Sequence, residues 1–214
     1  MCGRYSLAVD EEKIRKFFDL VRVNFEHSPR HNVAPGQLAP VIIEKKMGLM
    51  KWGLVPYWAQ DEKIGYKLIN ARAETIAEKP SFRDSFLKRR CLIPADGFYE
   101  WLKEGQEKRP FRFVSNDLFA FAGIYDTWRS KDKVLHSFSI ITCEANDTVR
   151  GIHHRMPVIL DKGARDIWLD RSIADKELLL SFLRPYGGEL RMYEVSPLVN
   201  RVANDDESVI EPVR

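Results

Sequence analysis

The sequence predicts an α+β fold, a single domain over residues 1–214 in which mostly antiparallel strands form a barrel-like core with flanking helices. Three observations predict it. Short apolar runs recur from Val41 to Leu160 with Gly, Pro, Asn and Asp between them, which is the pattern of many brief strands. Helical periodicity is confined to segments before and after that stretch. The chain of 214 residues, 44% hydrophobic and 30% charged, has the profile of a soluble globular protein that buries a core without disulfide or metal staples.

In order, a first helix is expected from Asp10 to Val21, with Asp10 as cap, Glu11 and Glu12 at the positive dipole end, and Ile14, Phe17, Phe18 and Val21 as one buried stripe. From Ser28 to Pro40, Pro29, Pro35, Gly36 and Pro40 exclude helix and predict an ordered, turn-rich loop. Strands are expected at Val41–Ile43, Leu49–Val55, Lys67–Ile69, Cys91–Ile93, Phe111–Val114, Leu118–Ile124, Leu135–Thr142 and Val158–Leu160. Further helices are expected near Gly163–Leu169 and Ala174–Leu183, the latter stopped by Pro185 and Gly187-Gly188. Asn204 to Glu207 form a polar acidic turn. No internal repeat, low-complexity tract or linker divides the chain.

Composition excludes several functions. No apolar run approaches the roughly 18 residues of a membrane span. Met1 to Ser6 lack the apolar core of a signal peptide, so an intracellular, cytoplasmic protein is expected. The net charge of +3 is too mild to identify a nucleic-acid binder, so local placement decides. Cys2, Cys91 and Cys143 form no CxxC pair and have no histidine at zinc spacing, so neither a disulfide framework nor a metal site is expected. Cys91 and Cys143 read as small buried hydrophobes.

Cys2 is different. A chain whose second residue is small normally loses its initiator methionine, which leaves Cys2 as the terminus. Its α-amine, with a pKa of about 8, then stands beside a thiol of about 8.5, so neutral amine and thiolate are both accessible near neutral pH. Such a 1,2-aminothiol can attack an amide or ester through sulfur. Alternatively it condenses with an aldehyde to an imine that the sulfur closes to a thiazolidine.

Three other segments carry polar groups suited to chemistry. Asn70, Arg72 and Glu74 alternate, so an extended segment projects them from one face, whether toward solvent or a ligand. In Asp96-Gly97-Phe98-Tyr99-Glu100-Trp101 a carboxylate lies among aromatics. Desolvation there raises its pKa and suits it to proton transfer, unless it is simply an edge-strand glutamate. In Ile152-His153-His154-Arg155-Met156-Pro157, alternation places His153 and Arg155 on one face and His154 on the other. Trp52, Trp101 and Trp128 are expected in the core. Lys88 to Arg90 read equally as a DNA-facing patch or a solvated turn.

Together with Met1-Cys2-Gly3-Arg4-Tyr5, Asn32-Val33-Ala34-Pro35-Gly36, Trp52-Gly53-Leu54-Val55-Pro56, Ile69 to Thr75 and Val195-Ser196-Pro197-Leu198-Val199-Asn200, these segments make the chain resemble the SOS-response-associated peptidase (SRAP) family over nearly its whole length. The resemblance implies the family's fold and a covalent, thiazolidine-linked crosslink to abasic sites in single-stranded DNA, shielding the lesion. The implied catalytic set is Cys2 as the reacting residue, Asn70 holding it, Glu100 managing protons at the amine and His153 assisting sugar-ring opening. The implied DNA contacts are Arg4, Arg72 and Arg155 on phosphates, Asn32 and Thr142 beside them, Pro35 and Gly36 as a wedge, and Trp58 as a stacking surface. No cofactor, metal or membrane is implied. A monomer is expected, nucleoid-associated in a bacterium or nuclear in a eukaryote. Two alternatives stand: an N-terminal-cysteine thiol hydrolase or autopeptidase, and a non-covalent single-strand binder.

Overall fold

The computed structural model describes residues 2–213. Its elements in chain order are β1 (Tyr5–Leu7), α1 (Glu11–Phe18), β2 (Arg22–Val23), β3 (Arg30–Val33), β4 (Leu38–Ile43), β5 (Lys46–Trp52), β6 (Asn70–Arg72), α2 (Arg83–Lys88), β7 (Arg90–Ala95), β8 (Gly97–Glu104), β9 (Glu107–Val114), β10 (Phe119–Arg129), β11 (Val134–Glu144), α3 (Asp147–Arg150), β12 (Arg155–Pro157), β13 (Ile159–Leu160), α4 (Lys162–Leu169), α5 (Lys176–Ser181) and β14 (Arg191–Glu194). One sheet has the order β14-β9-β8-β1-β3. In the other, β11, β10, β7, β4 and β5 pair in sequence and β5 pairs back to β11, which closes a barrel. Most ladders are antiparallel; β5 and β6 run parallel to β11, and β2 parallel to β5.

The predicted α+β barrel is therefore the observed fold, and its interior is aromatic. The Tyr5 ring lies 5.3 Å from Trp52 and 5.7 Å from Phe121, while Trp52 stacks on Phe138 at 6.2 Å. All four are essentially inaccessible to water, and burial of each side chain contributes about 1.5–3 kcal/mol. Tyr5 thus anchors the first strand in the core and fixes where the residues before it emerge.

Several expectations shift. The first helix stops at Asp19, whose left-handed backbone (φ 51°) ends the hydrogen-bond ladder, so Val21 lies beyond it and is 66% exposed. Asp10 does cap the helix, accepting from Lys13 N at 2.8 Å. The Ser28–Pro40 segment is not all loop: β3 and the start of β4 flank a tight turn at Pro35-Gly36, and Pro40 sits within β4 opposite Leu49. Lys67–Ile69 is not strand, because a 3-10 turn (Glu62–Lys67) precedes it and pairing begins only at Asn70. Gly53 (φ 124°) locks that turn in place, since a Cβ there would meet Gly65 O at 2.7 Å. Helices α2 and α3 were not expected; they are six and four residues long, too short for periodicity to register.

Arg90 is neither a DNA-facing residue nor a solvated one. Only 4% exposed, it donates to the carbonyls of Leu87 (2.6 Å), Asp170 (2.6 Å), Trp168 (2.7 Å), Ile173 (3.0 Å) and Phe86 (3.3 Å), tying α4 to β7. The turn at residues 204–207 is equally structural. Asp205 accepts from the backbone N–H of His31 (2.6 Å) and Asn32 (2.8 Å) and pairs with Arg30, fastening β3.

Candidate functional site

The N-terminal residues are held by a frame that begins in β1. Ser6 donates to Asp96 at 2.6 Å and accepts from Arg112 at 3.0 Å, and Arg112 completes the triangle to Asp96 at 3.1 Å. The network needs Gly97, because a Cβ there would lie 2.7 Å from the Arg112 Nε. Gly97 is thus a strand residue chosen for close approach, paired with Ser6 in the ladder, rather than a turn residue.

Arg4 forms the second part of the frame. Its guanidinium donates to Asn32 Oδ1 at 2.6 Å and to the Val199 carbonyl at 2.5 Å, and lies 5.8 Å from the centre of the Trp101 ring. Asn32, fully buried, donates in turn to the carbonyls of Asn204 (2.7 Å), Arg201 (3.1 Å) and Val199 (3.2 Å). Both residues brace the start of the chain against its C-terminal turn. Asn32 is sealed inside, while Arg4 is half-buried with one amino group bonded to both partners and its Nε without a hydrogen-bond partner among the described residues.

Cys2 is buried in the main core, as are Cys91 and Cys143. This corrects the accessible-thiolate expectation. Burial first, and then the negative charge of Glu100, hold the Cys2 thiol far above its ordinary range, so it is a neutral thiol at neutral pH. Removal of the initiator methionine concerns a residue outside the described ones.

Glu100 is not on an edge strand. It lies in β8 between β9 and β1, opposite Phe111, and is 3% exposed. Desolvation pushes its carboxyl up to about 7, against the pull of the positive charge at the chain's N-terminus. His153 is half-buried and shifted downward, by desolvation and then by the same terminal charge. Cys2, Glu100 and His153 therefore share one electrostatic environment. The Arg155 backbone holds the His153 ring through Nδ1, which lies 2.9 Å from Arg155 N and 3.1 Å from Arg155 O. The imidazoles of His153 and His154 stack at 4.4 Å, so they lie together rather than on opposite faces; the tight turn after α3 precludes the extended conformation that alternation assumes.

Arg4, Glu100, Trp101, Lys103, Lys108, His153 and Asn200 line an open cleft of about 480 Å³. Trp101 was expected in the core, but it is only part-buried and bonds Asn200 Oδ1 at 2.7 Å through its indole N–H, so it walls the cleft. Asn70, on β6, has a buried Oδ1 with no hydrogen-bond partner among the described residues, while its amide reaches Ile140 O at 3.4 Å. That acceptor is suited to an N–H arriving from outside the described hydrogen-bond network.

The expected phosphate contacts divide. Arg72 is exposed and lines a second cleft with Arg150 and His154. Arg155 is 7% exposed and clamped on Glu74 by two bonds of 2.6 and 3.0 Å, with a third to Thr142 O at 2.6 Å. Thr142 has no accessible surface. These two are supports, set in stretches of β11 and β12 that are buried on both faces. Trp58 is 48% exposed and the Pro35-Gly36 turn part-exposed, with Tyr66 packed near Gly36. Trp52 and Trp128 are buried as expected. Among the described residues, no three histidine, cysteine or acidic side chains gather as a metal site, and no helix is long and apolar enough to cross a membrane.

The geometry has counterparts. The family model described as SOS response associated peptidase (SRAP) matches residues 1–202. A Bacillus subtilis (strain 168) protein named abasic site processing protein YoqW is 43% identical, covering 99% of each chain. The Gallus gallus protein named abasic site processing protein HMCES is 31% identical, covering 87% of this chain and 67% of its own. A crystal structure of a Bacteroides thetaiotaomicron protein superposes with a TM-score of 0.91 at 29% identity over 100% of both chains.

Proposed function

The chain belongs to the SOS response associated peptidase (SRAP) family, and from that premise we propose that it captures abasic sites in single-stranded DNA as a covalent crosslink through Cys2. The observation that carries this reading is the coupling of a buried Cys2 thiol to Glu100, whose pKa of about 7 matches proton exchange with an amine at neutral pH. The ring-opened deoxyribose presents an aldehyde. Glu100 takes a proton from the terminal ammonium, the neutral amine attacks the carbonyl carbon, and water leaves to give an imine. The Cys2 sulfur then adds to the imine carbon while its proton passes to the imine nitrogen, closing a thiazolidine with net loss of one water.

His153, whose ring the Arg155 backbone orients, exchanges the proton that opens the sugar ring in this reading. Asn70 offers its unpartnered oxygen to the terminal N–H groups and Arg72 its exposed guanidinium to the backbone. Trp58 and the Pro35-Gly36 turn provide the surface on which flanking bases stack. One copy per lesion suffices, acting where DNA is found: the cytoplasm and nucleoid of a bacterium or the nucleus of a eukaryote.

A hydrolase would attack first through the sulfur, and burial raises the cost of ionising this thiol, which favours the amine-first route. The test is incubation of the purified protein with an abasic single-stranded oligonucleotide, followed by a denaturing gel. A shifted band that disappears with Cys2→Ala supports the proposal. Absence of a band with the wild type refutes it, and multiple turnover on a peptide without one establishes the hydrolase.

A further inference from the structure

Resting on the reading just given, we propose that the tip of the β8–β9 hairpin is a phosphate clamp for the DNA strand running away from the lesion, with Lys103 and Lys108 as its two cations. The two lysines are direct cross-strand partners and both are exposed. Like charges placed opposite each other on a ladder repel, and a cross-strand pair of this kind lowers hairpin stability unless an anion lies between them.

The neighbouring cation Arg109 is treated differently. Arg109 is held by Glu104 at 3.1 Å and by Glu194 at 2.9 Å, so its charge is neutralised within the protein. Lys103 and Lys108 make no side-chain hydrogen bond or ion pair with any described residue, although Glu104 and Glu107 adjoin them in sequence. Alternation along the strands turns those acids to the opposite face, while Lys103, Lys108 and Trp101 share one.

Lys103, Lys108 and Trp101 line the same cleft as Glu100 and His153, and the charge of Lys103 is felt at His153. On the far side of the His153–His154 stack lies the cleft of Arg72 and Arg150. Positive charge thus flanks the reacting groups on both sides, and a strand with its lesion at His153 places one phosphodiester arm over the hairpin. A phosphate between two ammonium groups relieves their repulsion and is neutralised by both.

The experiment compares wild type with Lys103→Ala/Lys108→Ala, binding a single-stranded oligonucleotide that carries a non-reactive abasic analogue. The logarithm of affinity is measured against the logarithm of salt. Two lost phosphate contacts flatten the slope by about 1.4, so that between about 50 and about 200 mM salt the wild type loses roughly sevenfold more affinity than the variant. Lys16→Ala/Lys176→Ala, on α1 and α5, removes equal charge elsewhere and should leave the slope unchanged. An unchanged slope in the hairpin variant, or an equal flattening in the control, overturns the clamp. In parallel, the reactive oligonucleotide at saturation should give the same Cys2-dependent band with wild type and the Lys16→Ala/Lys176→Ala control. Failure of wild type to form that band refutes the crosslinking proposal, whereas the slope still decides the clamp.

Discussion

Replacement of Glu100 by glutamine should make this protein more stable and less active. The carboxyl has an ordinary value of 4.5 and stands at about 7 in the folded chain, chiefly because burial disfavours its charge. A group whose folded pKa lies above its unfolded one binds its proton more tightly when folded. Its contribution to stability is intact at low pH and is lost as pH rises from about 4.5 through about 7. The difference of roughly 2.5 units corresponds to about 3 kcal/mol at pH 8. Glutamine keeps the shape and never ionises, so Glu100→Gln should match the wild type near pH 4 and exceed it by about 3 kcal/mol at pH 8, some 6–12 °C in melting temperature for a domain of this size.

Reaction rates should move in the opposite direction. If Glu100 accepts the ammonium proton, wild-type crosslinking rises as the carboxyl ionises, from roughly a tenth ionised at pH 6 to nine-tenths at pH 8. The glutamine variant loses about 100-fold or more near pH 7. Its deficit narrows above pH 8, where the α-amine deprotonates unaided. The assays are thermal melts from pH 4 to 9 and gel-quantified crosslinking across the same range. A variant less stable than wild type at pH 8, or a rate deficit independent of pH, would refute the assignment and make Glu100 a packing residue.

Other outcomes follow from the same contacts. Cys2→Ser should still form an imine, trappable by borohydride, but no adduct that survives a denaturing gel without reduction; a durable unreduced band with serine would sink the ring-closure step. Arg72→Ala should flatten the salt dependence of DNA binding by about 0.7, and unchanged affinity across salt would remove Arg72 from the phosphate contacts. Arg90→Ala removes one donor from each of five carbonyls and should lower stability by about 3 kcal/mol or more, measured by denaturant titration, and a loss under about 1 kcal/mol would show that water replaces the guanidinium. Iodoacetamide should alkylate Cys2 in the native protein at pH 8 at least tenfold more slowly than in the urea-unfolded chain, since burial holds its thiol protonated; equal rates would contradict that.

Much of the architecture was legible because apolar runs bounded by glycine and proline mark strands wherever one face is buried. The β4–β5 hairpin was missed at its turn. Glu44 and Lys45 both take positive φ (49° and 60°) without being glycine or asparagine, so nothing in their chemistry announces the reversal. At the site, Cys2, Glu100 and His153 were found from chemistry and resemblance, and the structure brings them into one environment. Asn32, Thr142 and Arg155 were expected to face DNA on the strength of the resemblance, and a shared motif does not report which way a side chain points. Their hydrogen-bond partners, Arg4, Glu74 and three carbonyls of the C-terminal turn, lie far away in sequence. The reverse holds for Trp101, an aromatic residue assigned to the core that forms a wall of the cleft.

The inward placement of those polar residues bears on how a buried nucleophile can function at all. An accessible thiolate would be oxidised or alkylated indiscriminately. Here Arg4, Asn32 and the Ser6–Asp96–Arg112 triangle spend their hydrogen bonds on fixing the terminal segment, so the sulfur needs no freedom to search. In the proposed reaction an electrophile reaches the thiol by way of the amine, and ring closure is then intramolecular, where proximity replaces nucleophilicity as the source of rate. That route would select aldehydes over other electrophiles, because an imine would carry its carbon within reach of a sulfur that is otherwise sealed.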